Sequence, residues 1–202
     1  MAIYLDDQPM MWVGHSLAAL LEAARKRLEP AGRIVVQVQV NGQFLVGPEI
    51  ARHQNDPVNA SDVRLASADP VELAQNTLQQ LRSLLEQSGQ ALQEAGEAFQ
   101  SDEAGRGMQA LSRAMDLWHQ LPQAVIQAAA LTRLDVNAAL PAGKTMTVFA
   151  SDLAASLRGL RDGLTNRDTV ALADALRYEW PRTVQAWDQL LANLQKKLQS
   201  EH

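Results

Sequence analysis

The 202-residue sequence predicts an α+β protein in which a small, strand-rich N-terminal part precedes an antiparallel bundle of helices. Before residue 69, apolar residues alternate with a period of two in several short segments. From residue 70 onward they recur at spacings of three and four, which is the period of an amphipathic helix. The apolar residues are mainly Ala, Leu and Val, with only three Phe and two Tyr. We therefore expect two domains, residues 1–68 and residues 69–202.

A hairpin and a helix are predicted at the N-terminus. The segments AIYL (2–5) and MMWV (10–13) flank the turn-rich DDQP (6–9), so they are predicted to pair as two strands. Ser16 can cap a helix that runs to about Leu28, because the apolar residues between them are spaced by three and four.

A second hairpin is predicted in the stretch RIVVQVQVNGQFLVG (33–47), which alternates more strongly than any other segment. Asn41 and Gly42 accept the positive φ angles of a type I′ turn, so they predict a two-residue loop. This loop fixes the register. The predicted pairs are Val40 with Gln43, Gln39 with Phe44, Val38 with Leu45 and Gln37 with Val46. A short helical turn in EIARHQ (49–54) and a fifth strand in DVRLAS (62–67) follow.

The order β-β-α-β-β-(short helix)-β over residues 1–68 resembles that of the β-grasp, or ubiquitin-like, fold. The resemblance lies in the order of elements and not in a sequence motif. It implies a sheet that packs one of its faces on a single helix.

A helix boundary is marked at residue 69. Asp69 is a candidate N-cap, Pro70 suits the first helical position, and Glu72 lies where a capping box places its acid. A heptad repeat then predicts a helix of about thirty residues, or about 45 Å. Its two rows are Val71, Leu78, Leu85, Leu92 and Phe99, and Ala74, Leu81, Ser88 and Ala95.

Three further amphipathic helices are predicted after this one. Pro122 is expected to bend the second helix, and Asn166 or Asp168 can cap the fourth. Four helices joined by short loops most simply form an antiparallel four-helix bundle, and a homodimer through the long helices is the alternative. The second helix carries Met108, Leu111, Met115, Trp118, Val125 and Ala129; the third carries Phe149, Leu153, Leu157, Leu160 and Leu164; the fourth carries Leu172, Leu176, Trp180, Val184, Trp187, Leu191, Leu194 and Leu198.

Composition and charge exclude several classes of protein. The formal net charge is −5, and neither half carries an excess of basic residues, so the sequence disfavours a nucleic-acid partner. The absence of cysteine excludes disulfides and thiolate metal sites. The N-terminus carries acids where a signal peptide is basic, and the longest uncharged run, 117–132, is too short and polar for a membrane span. We expect a cytoplasmic protein without membrane insertion.

Two short motifs suggest bound ligands but lack the surroundings that they need. Asp116 and His119 are spaced like one carboxylate–histidine pair of a di-metal bundle, which requires two such pairs. Gly143, Lys144 and Thr145 precede a helix as in a phosphate-binding loop, but Ala138 stands where that motif has its first glycine. A turn capped by Thr145 or Thr147 explains the second segment better than an anion site does. We predict no cofactor, no metal and no catalytic residue.

The stretch ADALRYEWPRTVQAW (173–187) contains a candidate polar site at a helix kink. Asp174 and Tyr178 lie one turn apart, with Arg177 and Glu179 beside them, and Pro181 removes a backbone donor. The alternative is that these side chains satisfy freed carbonyls or pair with an arginine of another helix. The stretch resembles helical tails of uncharacterised bacterial proteins, some of them linked to motility, and this resemblance assigns no functional residue.

The second hairpin provides a candidate partner-binding surface. Val36, Val38, Val40 and Leu45 are predicted to face the first helix. The opposite face, with Val35, Gln37, Gln39, Phe44 and Val46, mixes apolar and polar side chains, as is typical of a covered surface. We expect it to contact the bundle, another copy of the chain, or a partner protein.

Three functions remain open on the sequence alone. The one it favours is a non-enzymatic interaction or adaptor protein. The second is a chaperone or a secretion or motility accessory factor that binds an amphipathic client helix, with Met108, Met115 and Met146 available to line a groove. The third is an enzymatic or ligand-binding bundle that uses Asp174, Arg177, Tyr178 and Glu179.

Overall fold

A computed structural model of the chain describes residues 2–58, 61–141 and 144–200. The predicted α+β class is confirmed, because a five-stranded mixed sheet in the N-terminal part is followed by several helices. Residue contacts divide the chain into two compact units, residues 1–73 and residues 74–202. They are called the sheet unit and the helical unit below.

The sheet unit contains five strands, β1 (Ala2–Leu5), β2 (Gln8–Pro9), β3 (Ile34–Val40), β4 (Gln43–Leu45) and β5 (Asp62–Ala68), and two helices, α1 (Leu17–Leu28) and α2 (Gly47–His53). The strand order is β2-β1-β5-β3-β4. β1 and β5 are parallel, and the other neighbours are antiparallel. Ser16 caps α1 as predicted, accepting a hydrogen bond from the Ala19 N–H at 3.3 Å.

The core of the sheet unit lies between α1 and one face of the sheet. α1 contributes one stripe of its surface, at spacings of three and four, and the central strands contribute alternate residues. The buried residues of this core are Ile3, Leu5, Met10, Leu17, Leu20, Ala24, Leu28, Val38, Leu45, Val58, Val63 and Leu65. The other face of the sheet is left without a helix among these elements.

The first hairpin differs from its prediction. Its second strand is β2 at Gln8–Pro9 rather than MMWV, because Asp6 and Asp7 alone form the turn with φ angles of 52° and 60°. Aspartate accepts this left-handed conformation, so the two following residues are free to pair. The Asp6 carboxylate also accepts hydrogen bonds from the Ser67 N–H at 2.7 Å and the Ser67 hydroxyl at 2.6 Å, which ties the turn to β5.

The register of the second hairpin is confirmed for three of its four predicted pairs, from Val40 opposite Gln43 to Val38 opposite Leu45. Asn41 and Gly42 form the turn with φ angles of 50° and 85°. The fourth pair, Gln37 with Val46, is absent because Val46 ends the strand and starts α2. Its carbonyl accepts from the Glu49 N–H at 2.7 Å and its N–H donates to the Glu49 carboxylate at 3.2 Å.

A β-bulge at Val36 changes which residues of β3 face the core. Val35 pairs with Ser67 and Gln37 with Ala66, so Val36 is the extra residue and the alternation shifts there. The prediction for these two valines is therefore wrong: Val35 packs against the core, and Val36 is exposed.

The helical unit contains four helices longer than twenty residues. They are α3 (Pro70–Gln100), α4 (Ala104–Thr132), α5 (Met146–Asn166) and α7 (Trp180–Ser200); the short α6 (Thr169–Asp174) and a π-helical segment (Ala175–Glu179) lead without a break into α7. These last three are called the C-terminal helix. Asp69 caps α3, with its carboxylate accepting from Val71 at 2.7 Å, and Asp168 caps α6, accepting from Ala171 at 2.9 Å.

The core of the helical unit is formed mainly by leucine, alanine and aromatic side chains, among them Trp118, Trp180 and Trp187. Trp118 and Trp180 meet edge to face with ring centroids 5.0 Å apart, which joins α4 to the C-terminal helix. Ser88 is the one buried polar residue among those described, and its hydroxyl accepts from the Trp118 Nε1 at 2.7 Å and donates to the Ala114 carbonyl at 3.4 Å. Both predicted rows of α3 are buried except Val71, which is half-buried. Within the described ranges, no helix has the length and hydropathy that a membrane span requires.

Candidate functional site

The helical unit has a groove between α3 and the C-terminal helix. Its cavity volume is about 940 Å³. Its lining from α3 comprises Arg82, Ser83, Leu85, Glu86, Gly89, Gln90, Leu92, Gln93 and Glu97; its lining from the C-terminal helix comprises Leu176, Arg177, Tyr178, Trp180, Pro181, Val184, Gln185 and Asp188. This surface is called the α3 groove below.

The π-helical segment gives the C-terminal helix its local shape at the groove. Pro181 has no N–H and cannot donate to a carbonyl of the preceding turn. Just before it, the Trp180 N–H donates to the carbonyl of Ala175, five residues back, which is the hydrogen bond of a π turn. This wider turn keeps Leu176 and Trp180 buried on the floor of the groove. Isolated π turns within helices occur frequently at functional sites.

Two glycines of α3, seven residues apart, face the C-terminal helix. A Cβ added at Gly96 would lie 3.0 Å from Arg177 Cγ and 3.2 Å from Leu176 Cβ, so the helices approach closely there. A Cβ added at Gly89 would lie 3.4 Å from Val184 Cγ1, an ordinary contact distance. The absent side chain at Gly89 therefore leaves open space in the lining of the groove.

An ion pair closes one end of the groove. The Arg82 guanidinium donates to both oxygens of Asp188, at 2.8 and 3.2 Å, and to the side chain of Gln195 at 3.2 Å. The hydrogen bond with Asp188 raises the pKa of Arg82, against a smaller opposing effect of burial. Both side chains of the pair are about 40% exposed, so its main effect is to hold the ends of the two helix segments in register.

The other end of the groove carries half of the predicted polar site. Arg177 donates to the Gln100 side chain, and its guanidinium carbon lies 5.7 Å from the centroid of the Tyr178 ring. Both residues are exposed and line the groove. Asp174 and Glu179 are exposed and lie outside its lining. The structure thus brings Arg177 and Tyr178 to one surface without a buried acid beside them.

The methionines that the sequence offered as groove residues do not line the α3 groove. Met108 is exposed, Met115 is half-buried and Met146 is buried at the start of α5. Sequence reasoning also missed Gly89, and it placed Val184 in the apolar row of the fourth helix without assigning it to a site. The signal available for Gly89 was its seven-residue spacing from Gly96, beside the buried row of Ser88 and Ala95.

The outer face of the sheet carries the other predicted site. Val36, Phe44 and Val46 are 46, 56 and 63% exposed, and Gln37 is exposed beside them. Gln39 is half-buried, and its amide donates to the Gly42 carbonyl at 3.0 Å. Four of the five predicted residues, all except Val35, therefore lie on or beside one mixed surface, and Val36 takes the place of Val35.

The candidate metal-binding and phosphate-binding residues lie at separate places on the surface. Asp116 and His119 are exposed on α4, and within the described ranges no group of three or more His, Asp and Glu side chains could hold a metal ion. Thr145 caps α5, accepting from the Val148 N–H at 3.4 Å, and Lys144 pairs with Asp152 at 3.0 Å. Gly143 of the phosphate-loop motif lies outside the described residues.

Comparison with known proteins identifies one relationship. No curated protein and no solved structure matches the chain. A family model matches residues 76–190, which is more than half of the chain and includes every residue that lines the α3 groove. The chain therefore belongs to the family described as Domain of unknown function (DUF8042).

Proposed function

We propose that the protein is a non-enzymatic binding protein whose helical unit holds an amphipathic helix of a partner protein in the α3 groove. The observation that carries this proposal is the open groove itself, where Tyr178, Pro181 and Val184 provide accessible apolar surface and charged and amide side chains form the rim. The buried side chains of Leu85, Leu92 and Trp180 lie beneath this surface. An amphipathic helix binds such a surface by burying one apolar stripe and leaving its polar face in water.

The dimensions of the groove favour a helix over a small molecule. The lining runs from Arg82 to Glu97 along α3, about 22 Å at 1.5 Å per residue, or four helical turns. A volume of about 940 Å³ is at the upper end of the range for small-molecule pockets. A long surface of this volume accommodates several side chains spaced at i, i+3, i+4 and i+7.

The charges on the rim indicate which partner helices are preferred. Glu86 and Glu97 lie on the α3 side, eleven residues apart, and neither forms an ion pair within the described part of the chain. Eleven residues are close to three helical turns. We expect a partner helix with a lysine or arginine near each end of its apolar stripe.

The finer features of the fold are part of the proposal. The order β2-β1-β5-β3-β4, with β1 and β5 parallel and α1 on one face, supports a β-grasp domain over residues 1–68. Contacts of α3 with α4 and of the C-terminal helix with α3, α4 and α5 support an antiparallel four-helix bundle over residues 69–202. The outer face of the sheet, with Phe44 and Val46, is a second candidate docking surface in a cytoplasmic bacterial adaptor.

Site-specific crosslinking in the native host tests the proposal. A photoreactive p-benzoylphenylalanine replaces Gln90 in the groove, and in a matched variant it replaces the exposed Val170 of α6. We expect the groove variant to capture a segment with apolar residues at helical spacing and flanking cations, as identified by mass spectrometry. Equal capture of the same proteins by both variants would contradict a groove-specific function.

A matched pair of glycine variants then measures the role of the groove with a synthetic peptide of the captured segment. Gly89→Leu places a side chain in the groove, while Gly159→Leu makes the same change on α5 where an added Cβ meets nothing within 4 Å. We expect Gly89→Leu to raise the Kd at least about tenfold, which corresponds to 1.4 kcal/mol, and Gly159→Leu to leave it unchanged. Equal affinities for both variants would overturn the proposal.

A further inference from the structure

The segment Met10–Gly14, which continues β2, has the side-chain pattern of a strand, and no strand pairs with its outer side in the described part of the chain. It contains no helical turn and no bend, and its residues are alternately covered and exposed. Met10 is buried and Trp12 packs against the core, whereas Met11 and Val13 are fully exposed. An added Cβ at Gly14 would overlap the indole of Trp12, so this glycine lets the indole lie flat along the segment. We call residues 10–14 the edge segment.

The backbone of the edge segment has hydrogen-bonding groups to offer on its outer side. The Met10 N–H donates to the Ile3 carbonyl at 2.8 Å, so the backbone groups of Met10 face β1. Backbone groups alternate in direction along a strand, which turns those of Met11 and Val13 away from the sheet. Neither residue has a hydrogen bond to any described part of the chain. Their exposed side chains and their outward backbone groups therefore form a free sheet edge.

We propose that the edge segments of two copies of the chain pair as antiparallel strands around a two-fold axis at Trp12. In this register Met11 lies opposite Val13 of the partner subunit, and the two residues exchange both of their backbone hydrogen bonds. The symmetry repeats this pair, so the interface contains four such bonds. The pairing thus uses the residues whose backbone groups face outward. It also places the exposed side chain of Met11 beside that of Val13 of the partner subunit.

The sequence of the edge segment is self-complementary. Edge strands are commonly protected by charged residues or proline, which prevent pairing with another chain. Residues 10–14 contain neither, whereas Pro9 and the exposed Asp7 precede them. Proline lacks the N–H that a further pair would need, so pairing ends at Pro9. A short strand with no charge of its own and apolar residues at matching positions fits a second copy of itself, in an isologous contact.

Charge substitutions test the register by sedimentation equilibrium. Met11→Glu and Val13→Lys each place a charge opposite an apolar residue of the other copy, and we expect each to raise the dimer Kd at least about tenfold. The double variant Met11→Glu/Val13→Lys places Glu opposite Lys in this register only. We expect its Kd to return to within about threefold of the wild-type value, since opposite charges directly across a strand pair attract each other. If the double variant weakens the dimer as much as the two single variants do together, the register is wrong.

A proline variant separates strand pairing from simple apolar contact. Val13→Pro keeps an apolar side chain but removes an outward N–H, and proline is tolerated at an exposed sheet edge. We expect it to abolish the dimer while the thermal unfolding of the chain, measured for both proteins at a concentration well below the wild-type dimer Kd, is unchanged. The matched control is Val170→Glu, an exposed valine of the helical unit, which leaves the dimer intact.

Three results would refute the proposal. The first is a wild-type chain that stays monomeric up to about 0.5 mM. The second is a Val13→Pro variant that still forms a dimer. The third is a wild-type monomer that binds an extended peptide of a different protein along residues 10–14, because the edge would then serve another partner.

Discussion

The sheet unit and the helical unit leave apolar surface exposed in different ways. The five-stranded sheet has one helix, α1, on one face, so Val36, Phe44 and Val46 remain together on the other. In the helical unit the exposed large apolar side chains are distributed over several helices, as Leu84, Ile126, Val148 and Val170 are. It also has a concave surface in the α3 groove, where Gly89 has no side chain and a π turn widens the C-terminal helix. A sheet that is covered by a helix on one face exposes the whole of its other face. Packed helices expose only the narrow surface between two neighbours.

Removal of the central tryptophan of the helical unit is expected to have the largest effect on stability. Trp118 has no exposed surface, and it contacts Trp180 and donates to Ser88. We expect Trp118→Ala to lower the free energy of unfolding by about 3–5 kcal/mol, as measured by urea titration. Ser88→Ala removes the hydroxyl that accepts from Trp118 and donates to Ala114, leaves the buried indole N–H unpaired, and costs about 1–3 kcal/mol. A loss below about 1 kcal/mol for Trp118→Ala would mean that the helices are not packed around it.

The turn of the second hairpin is expected to have an intermediate effect on stability. Gly42 has a φ of 85°, which side chains rarely adopt. Gly42→Val should therefore lower the free energy of unfolding of the sheet unit by about 1–3 kcal/mol. Gly105→Val, in the first turn of α4 where an added Cβ meets nothing within 4 Å, provides a control without a positive φ. Equal losses for both variants would show that the turn does not set the register.

The parts of the fold that the sequence predicts depend on residues close together in the chain. Ser16, Asp69 and Asp168 cap helices through N–H groups two or three residues on. Asn41 and Gly42 accept the positive φ angles of their turn by their own residue types, and hydrogen bonds between Asn41 and Asp62 of β5 add to this local preference. A capping or turn residue carries its own geometry. For the same reason the heptad rows of α3 predicted which of its residues are buried.

The parts that the sequence did not predict depend on distant partners. The bulge at Val36 arises because β3 has one residue more than β5 between two pairs, and nothing within β3 shows this count. The turn at Asp6 and Asp7 is held by hydrogen bonds from Ser67 to Asp6, and these two residues are 61 apart in the chain. Prediction of the α3 groove would have required knowing which helix packs beside Gly89, and this is a contact between distant parts of the chain. Arg177 and Tyr178 were identified because the unusual stretch around Pro181 is local, whereas the surface they share is not.

A smaller effect is expected from Asp6, and it depends on pH. The hydrogen bond from the Ser67 hydroxyl, with smaller contributions from the Ser67 N–H and Arg33, holds the pKa of Asp6 below its usual value although burial opposes this. The carboxylate is therefore favoured in the folded state. Its contribution to stability is complete above the unfolded carboxyl pKa of about 3.9, and it is lost as pH falls through the lower folded value.

Two variants test this pH dependence in urea titrations between about pH 6 and pH 2. Asp6→Asn preserves the left-handed backbone. We expect it to lower the free energy of unfolding by less than about 1 kcal/mol at pH 6, since the group is exposed. We also expect the free energy of unfolding of this variant to fall less steeply in acid. Ser67→Ala removes the hydroxyl donor and should have the same effect in acid. A steeper loss in either variant would have the wrong sign for a lowered pKa.

The smallest effect on stability is expected on the outer face of the sheet. Phe44 is more than half exposed and pairs across the strand with Gln39, so Phe44→Ser should change the free energy of unfolding by less than about 0.5 kcal/mol. If the outer face is functional, Phe44→Ser should nevertheless weaken an association that the sheet unit makes. A photoreactive residue at position 46, with Phe or Ser at position 44, measures this association by crosslinking. If stability and every association are unchanged, the outer face is only solvated surface. In that case the α3 groove is the remaining candidate binding surface of the two, because exposure of an apolar face by itself does not make it a binding site.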